Sequence, residues 1–404
     1  MPVVRKIGRV QPGTRLFTVV LSMAMAMTAL AIDTLLPAFD DVRAEFGLAS
    51  HATDVAALVT AFIVGLGIGQ FPAGLLADRF GRRPVLWGGL ALYVIGAACA
   101  ALAPSLGLMI AARFLWGLGA AGPRVAVTAM VRDTYQGAEM ARQMSSIMAI
   151  FLIVPMLAPS VGAALLALGP WQLTIWFCVA VAFLVGVASL ALPETEPTGP
   201  RQALTGRDIL RAWKIVFTTP GTVGYVLAAT AMTSSFMSYI ASSENIIDET
   251  FGLSAWFAPI FAVVAGTLAG ANLANGRFVG RLGLQRLLRV VTVVQLGVAL
   301  VLVVVALATD GRPPFGLFLV LLIFTLTTQQ VSMVNSSAAA MVPLGHVAGS
   351  AAAVVGATPQ IIGALIGSRI DALFDGTITP LSIAFVISAL VTVVATHHAV
   401  RVTR

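Results

Sequence analysis

Long apolar runs alternate along the chain with short polar or Gly/Pro-rich punctuation, and the runs are longer than a soluble core needs. A hydrocarbon slab of ~30 Å is crossed by ~20 apolar helical residues. Runs of that length predict spans near 16–38, 53–77, 84–103, 106–131, 142–168 and 171–192. A second six are predicted near 221–243, 255–275, 285–308, 314–340, 347–370 and 379–399. Between the two sets lies one long polar connection, 193–220, rich in proline and carrying Arg201, Arg207, Arg211 and Lys214, which reads as a linker. The predicted fold class is all-α integral membrane: twelve transmembrane helices in two six-helix bundles, 1–192 and 221–404.

Composition narrows the function classes. Of 404 residues, 58% are hydrophobic and 10% charged, where a soluble domain carries ~25% charged. Twelve spans leave no expected surplus for a large soluble domain. The two lysines, Lys6 and Lys214, do not lie in a G-x-x-x-x-G-K-[ST] loop, so the group that grips nucleotide phosphates in that motif is missing and ATP is not expected to drive the protein directly. Cys99 and Cys178 sit in apolar runs as small core residues. The four histidines lack H-E-x-x-H spacing, so neither a metal nor a cofactor is expected. The basic N-terminus ahead of an apolar stretch looks like a secretory signal, but the stretch spans a full membrane thickness and further spans follow, which predicts a retained first helix.

The net charge of +7 would suggest nucleic acid in a soluble chain. Here the positions of the cations explain it better. With the N-terminus inside, inward segments hold nineteen of the 24 basic residues, whereas the outward loops carry Arg43 and Arg312 among eight carboxylates. The positive-inside rule therefore puts both termini and the 193–220 linker in the cytoplasm.

G-L-L-A-D-R-F-G-R-R (Gly74 to Arg83) is echoed by G-R-F-V-G-R-L-G-L-Q (Gly276 to Gln285) after the second span of each half. Gly74, Arg79 and Gly81 recur as Gly276, Arg281 and Gly283, while Gly280 stands where the first copy has Asp78. Parallel halves around a midplane substrate site are a transporter plan. Glycines permit a tight turn and close helix approach, and an aspartate beside Arg79, Arg82 and Arg83 can make charge-assisted bonds that exist in one conformation and break in another. A plain positive-inside anchor is the competing account, and it explains the arginines but not Asp78 or the glycine spacing. The segment resembles the signature loop of the major facilitator superfamily, in which it is a cytoplasmic latch favouring the outward-open state.

Span four begins R-F-L-W-G-L-G-A-A-G-P-R, placing Arg113 about two turns inside the membrane, where a guanidinium costs ~2.5–3.5 kcal/mol. Snorkelling to the headgroups is one way to offset that. Arg113, Gly117, Gly119 and Gly122 resemble the span-four motif of drug:proton antiporters of the same superfamily, whose arginine is implicated in proton coupling. Arg124, after Pro123, is open between lining a cavity and bonding carbonyls freed at a kink. Asp33 in A-I-D-T-L-L-P lies well inside a clear apolar span, one turn before Pro37. A carboxyl there either carries protons or pins the end of the helix. Asp54 and Asp371 fall at helix ends and are expected to be solvated. Pro155, Pro159 and Gly162 in span five resemble the antiporter motif that usually ends G-P-x-x-G-G, with Ala158 and Ala163 in place of its outer glycines; a kinked packing helix is the other reading.

Substrate contacts are expected among Met27, Asp33, Gln70, Arg124, Met148, Tyr239, Gln329 and Asn335: a few polar points in a methionine-rich cavity, which suits a neutral or lipophilic cation. V-R-D at Val131 to Asp133 and L-P-E-T at Leu192 to Thr195 add weaker likeness. Taken together the chain resembles a Bcr/CflA (bicyclomycin/chloramphenicol resistance) drug:proton antiporter. That resemblance implies two rocking bundles, export in exchange for protons, a bacterial inner membrane location and no enzyme activity. The expected partners are a small-molecule substrate, protons and the lipid bilayer, with no nucleic acid, in a monomer. A proton-coupled exporter of an amino acid or small organic acid is the alternative, favoured if Arg113 and Arg124 face one cavity.

Overall fold

The computed structural model describes residues 14–49, 52–135, 137–195 and 206–402. The elements are helices α1 (Arg15–Asp33), α2 (Phe39–Glu45), α3 (Ala57–Phe80), α4 (Arg82–Ala101), α5 (Leu106–Thr134), α6 (Gly137–Leu166), α7 (Gln172–Ser189), α8 (Gly206–Thr218), α9 (Pro220–Asn245), α10 (Phe257–Leu282), α11 (Leu284–Ala308), α12 (Phe315–Met341), α13 (Ala348–Asp371) and α14 (Thr379–Val402). No strand occurs among the described residues. Among the described residues twelve helical stretches are long and apolar enough to cross a membrane, six before the 196–205 segment and six after it. Helices are the natural answer, because lipid offers backbone groups no partner and an α-helix satisfies them internally.

Local chemistry sets the helix ends. The Thr14 hydroxyl accepts the Phe17 N–H at 3.2 Å to start α1, and Ser105 does the same for Leu108 at the head of α5. The repeated motif breaks the chain in the same way twice: Gly81 (φ +104°) separates α3 from α4 and Gly283 (φ +77°) separates α10 from α11. Both backbones need a conformation that side chains rarely adopt.

The described residues divide into two compact units, 14–49 with 61–195 and 52–60 with 206–402. In the first, α4 packs along α5 and α7, and α1 packs on α5, α6 and α7. Glycines bring these helices to backbone contact. A Cβ at Gly117 would lie 2.0 Å from the Phe62 carbonyl oxygen on α3, and one at Gly119 2.3 Å from the Tyr93 nitrogen on α4, the small-residue packing typical of membrane helices. In the second unit α9 is flanked by α12, α13 and α14, with α11 against α12 and α14.

The segment read as a polar linker holds a helix. In α8, Leu210, Trp213 and Phe217 recur at i, i+3 and i+7 while Arg207, Arg211 and Lys214 recur beside them, an amphipathic period too short to stand out as an apolar run. The first crossing likewise continues past its expected end, through a broken turn into α2.

Candidate functional site

The site begins at the break in α1. Regular helix stops at Asp33, a single tight turn follows over Leu36–Ala38, and Pro37 inside that turn offers no N–H. Carbonyls of the last helical turn therefore need other donors. The Thr34 hydroxyl donates to the Leu30 oxygen at 2.7 Å. Arg113 Nη1 on α5 donates to the Ala31 oxygen at 2.9 Å, and the Tyr93 hydroxyl on α4 reaches the Met27 oxygen at 3.2 Å. Thr34 itself and Arg113 of α5 thus serve the last turn, and Tyr93 of α4 the turn before it.

Arg113 is fully buried (0% exposed), so it does not snorkel. Its guanidinium sits 4.9 Å from the centre of the Phe62 ring and 4.8 Å from that of Trp116, and Trp116 in turn meets Tyr93 edge-on. Two desolvated cation–π contacts at ~1–2 kcal/mol each, with a charged hydrogen bond at ~1.5–3 kcal/mol, are enough to offset the ~2.5–3.5 kcal/mol cost of the charge. A cation at the C-terminal end of a helix also complements the macrodipole.

Asp33 lies two residues beyond the carbonyl that Arg113 holds. It is 5% exposed, and its carboxyl makes no hydrogen bond or ion pair with the described residues. It neither caps nor pins the helix end. Gly162 on α6 backs the same turn: a Cβ there would come 2.3 Å from the Thr34 oxygen. The sulfur of Cys178 on α7 lies 3.6 Å from the Thr34 hydroxyl. Pro155 and Pro159 fall inside α6 without ending it.

The loop between α3 and α4 forms a second cluster. Arg82, buried, gives Nε to Asp133 Oδ2 at 2.7 Å, Nη1 to Asp78 Oδ1 at 2.8 Å and Nη1 to the Ala77 oxygen at 2.6 Å. Glu194 accepts the backbone N–H of Arg82 at 2.6 Å and of Arg83 at 3.1 Å, so its carboxylate caps α4 where the helix carries positive partial charge. Arg83 lies over Trp87 at 4.6 Å and donates to the Leu190 oxygen at 3.0 Å. Arg79 is exposed over Phe80. Gly74 has no heavy atom within 4 Å of a built Cβ, so close approach is not its role here. Asp133 and Glu194 enter the sequence reading only as parts of weak likenesses.

The neutral candidates are placed unevenly. Asn335 and Asn275 exchange amide hydrogen bonds of 2.8 and 3.2 Å between α12 and α10. Gln329 donates to the Met232 oxygen and, at 3.1 Å, to Ser235 on α9. These amides are committed to helix pairing. Tyr239 and Met27 are buried, Met148, Gln70 and Arg124 half-buried, and Gln70 reaches its own helix at Leu66. Asp371 corrects an expectation: instead of being solvated it is 2% exposed and accepts the Ser242 hydroxyl. The end of α13 packs against α9, which removes water from it. Asp54 is exposed as expected.

The sequence profile of the Major Facilitator Superfamily matches residues 21–368. The chain belongs to the major facilitator superfamily. It is 26% identical over 375 residues, 92% of each chain, to an uncharacterized MFS-type transporter, YdgK, of Bacillus subtilis (strain 168), and 24% identical over 374 residues, again 92% of each, to a bicyclomycin resistance protein homolog of Haemophilus influenzae. A multidrug resistance protein, MdtL, of Escherichia coli O127:H6 is 31% identical over 207 residues, 51% of this chain and 52% of that one. The crystal structure of a D-xylose-proton symporter superposes with a TM-score of 0.73 at 15% identity, over 93% of this chain and 97% of that one. These names agree with a drug transporter of the Bcr/CflA type. A member of this superfamily is a multi-pass membrane transporter, not an enzyme.

Within this superfamily member the Arg82 cluster gives a direct prediction. Arg82→Ala leaves Asp133, whose side chain is 4% exposed, buried without its cation, and is expected to cost ~3–5 kcal/mol. Arg82→Ala combined with Asp133→Ala should cost clearly less. Urea or thermal unfolding of the purified protein in detergent measures the cycle, and additive single and double effects would dissolve the coupling.

Proposed function

We propose that this transporter exports small, mostly apolar or cationic compounds in exchange for protons by alternating access, as a drug efflux antiporter. Asp33 carries the reading. A carboxyl buried in a membrane helix with no hydrogen bond or ion pair is costly as an isolated anion. It is useful where it takes up and releases a proton, and Arg113 and Gly162 hold the helix break that presents it. The names of the relatives support drugs as the cargo class. Asp78, Arg79, Arg82 and Arg83, with Gly74 and Gly81, form the proposed conformational latch, whose bonds to Asp133 and Glu194 belong to one state of the cycle. Exporting an organic anion draws less support, because Arg113, one of the two cations it needs, is committed to a backbone carbonyl.

The proposed setting is a bacterial inner membrane, with both termini cytoplasmic and a monomer as the working unit. Proteoliposomes with an acidic lumen test the exchange. Ethidium or chloramphenicol added outside should release lumenal protons, read by a trapped pH dye, in proportion to drug uptake. Uptake unaffected by collapsing the gradient would remove the coupling, and proton-coupled uptake of amino acids but neither drug would favour the metabolite reading. Fluorescence of a C-terminal green fluorescent protein fusion tests the cytoplasmic C-terminus.

A further inference from the structure

Where α8 meets the start of α9 and the end of α14, the second unit carries an open apolar groove of about 640 Å³. Phe217, Val223 and Leu227 form one wall, and Val391, Val394 and His398 the other. Its floor is tight, since a Cβ at Gly224 would lie 2.7 Å from the Ala395 oxygen. Basic residues lie one helical turn from lining residues at one end, Lys214 before Phe217 and Arg401 after His398. Arg207, Arg211 and Lys214, all exposed, lie along α8 at i, i+4 and i+7, and Val394, His398 and Arg401 share a face of α14 at the same spacing. Among these three α8 turns the sequence has a single acid, Asp208. Trp213 and Phe217 stack at 5.2 Å on the neighbouring face of α8.

An amphipathic helix with aromatic residues beside a basic stripe lies in the membrane interface. Clustered Lys and Arg there attract anionic headgroups. The groove runs along two spanning helices from the end where Lys214 and Arg401 lie, which sets cations beside an apolar trough and suits the two halves of a phospholipid. We propose that the α8–α9–α14 groove binds an anionic phospholipid, with an acyl chain between α9 and α14 and the phosphate at Arg211, Lys214 and Arg401. The leaflet, though not the site, rests on the cytoplasmic placement of the linker proposed above. A lipophilic cation is a poor occupant, because its charge would face the three cations beside the trough.

The experiment uses the full-length protein in symmetric vesicles of phosphatidylcholine with or without phosphatidylglycerol, so the insertion direction does not affect the result. Brominated phosphatidylglycerol should quench the fluorescence of Trp213, isolated as the difference from Trp213→Phe, more strongly than brominated phosphatidylcholine at equal mole fraction. At ~1 kcal/mol per cation near an anionic surface, Arg211→Gln with Lys214→Gln should weaken phosphatidylglycerol binding about 30-fold and affect zwitterionic phosphatidylcholine far less. Val394→Trp, which fills the trough, should weaken both. Equal quenching by the two lipids in the unaltered protein, or phosphatidylglycerol selectivity undiminished in the charge variant, would overturn the proposal. Drug-driven proton release is measured in the same vesicles, so absence of phosphatidylglycerol selectivity in the unaltered protein with intact exchange refutes this site alone.

Discussion

Asp33→Asn is expected to abolish drug-driven proton release while the folded protein survives. Asparagine matches the shape of a carboxyl and forms hydrogen bonds, but it takes up no proton in this pH range. The native carboxyl makes no bond with the described residues that the amide would forfeit, so the stability change should stay within ~1 kcal/mol. The helix end keeps its braces, since Arg113 holds Ala31 and Tyr93 holds Met27, neither through the Asp33 side chain. The expected result is therefore split: proton release falls at least 100-fold, while gradient-free counterflow of the same drug and the thermal midpoint remain near those of the unaltered protein. Proton release by Asp33→Asn at the original rate would take Asp33 out of the mechanism. Loss of counterflow together with the thermal midpoint would mean that the side chain braces the turn.

The spans were legible because lipid imposes a strong rule on composition: every crossing needs an unbroken apolar stretch, and such stretches stand out in one dimension. The same rule made Asp33 and Arg113 visible, as polar exceptions inside apolar runs. What it did not show is partnership across the fold. Arg82 pairs with Asp133 at a separation of 51 residues and has its backbone capped by Glu194 at a separation of 112, distances at which no spacing pattern survives. Tyr93 and Ser242 were silent because a hydroxyl in an apolar run looks the same whether it serves its own helix or a neighbour. Asp371 misled for a related reason. A helix end is normally wet, and only the packing of α13 on α9 closes this one. α8 escaped because its apolar residues come every third or fourth position among charges, which is an interfacial pattern and not a spanning one.

The glycines separate two kinds of motif residue, and Gly117→Val should be as damaging as any single substitution in the first unit. A Cβ at 117 would sit 2.0 Å from the Phe62 oxygen, 2.8 Å from its carbonyl carbon and 2.9 Å from the Leu66 nitrogen. All three are helical backbone atoms, with no rotamer to yield. Ordinary contact begins near 3.4 Å, so α5 would have to retreat from α3 by about 1.4 Å (3.4 minus 2.0), before the valine methyls are counted. That retreat loosens the seam at Gly65 and Gly69, whose Cβ positions meet the Phe114 and Leu118 oxygens and the Ala121 side chain. It also draws Arg113, one turn earlier on α5, away from Phe62 and from the Ala31 carbonyl, and an unaccompanied guanidinium costs ~2.5–3.5 kcal/mol at that depth. The expected outcome is no monodisperse peak on gel filtration in detergent and no transport. Gly74→Ala is the contrast within the resembled loop: its Cβ meets nothing within 4 Å, and alanine favours an exposed helix by ~1 kcal/mol over glycine. It should elute as a single species with a thermal midpoint at or above that of the unaltered protein. A folded, actively transporting Gly117→Val would mean that α5 can shift past α3 without disturbing Arg113 or its hold on Ala31.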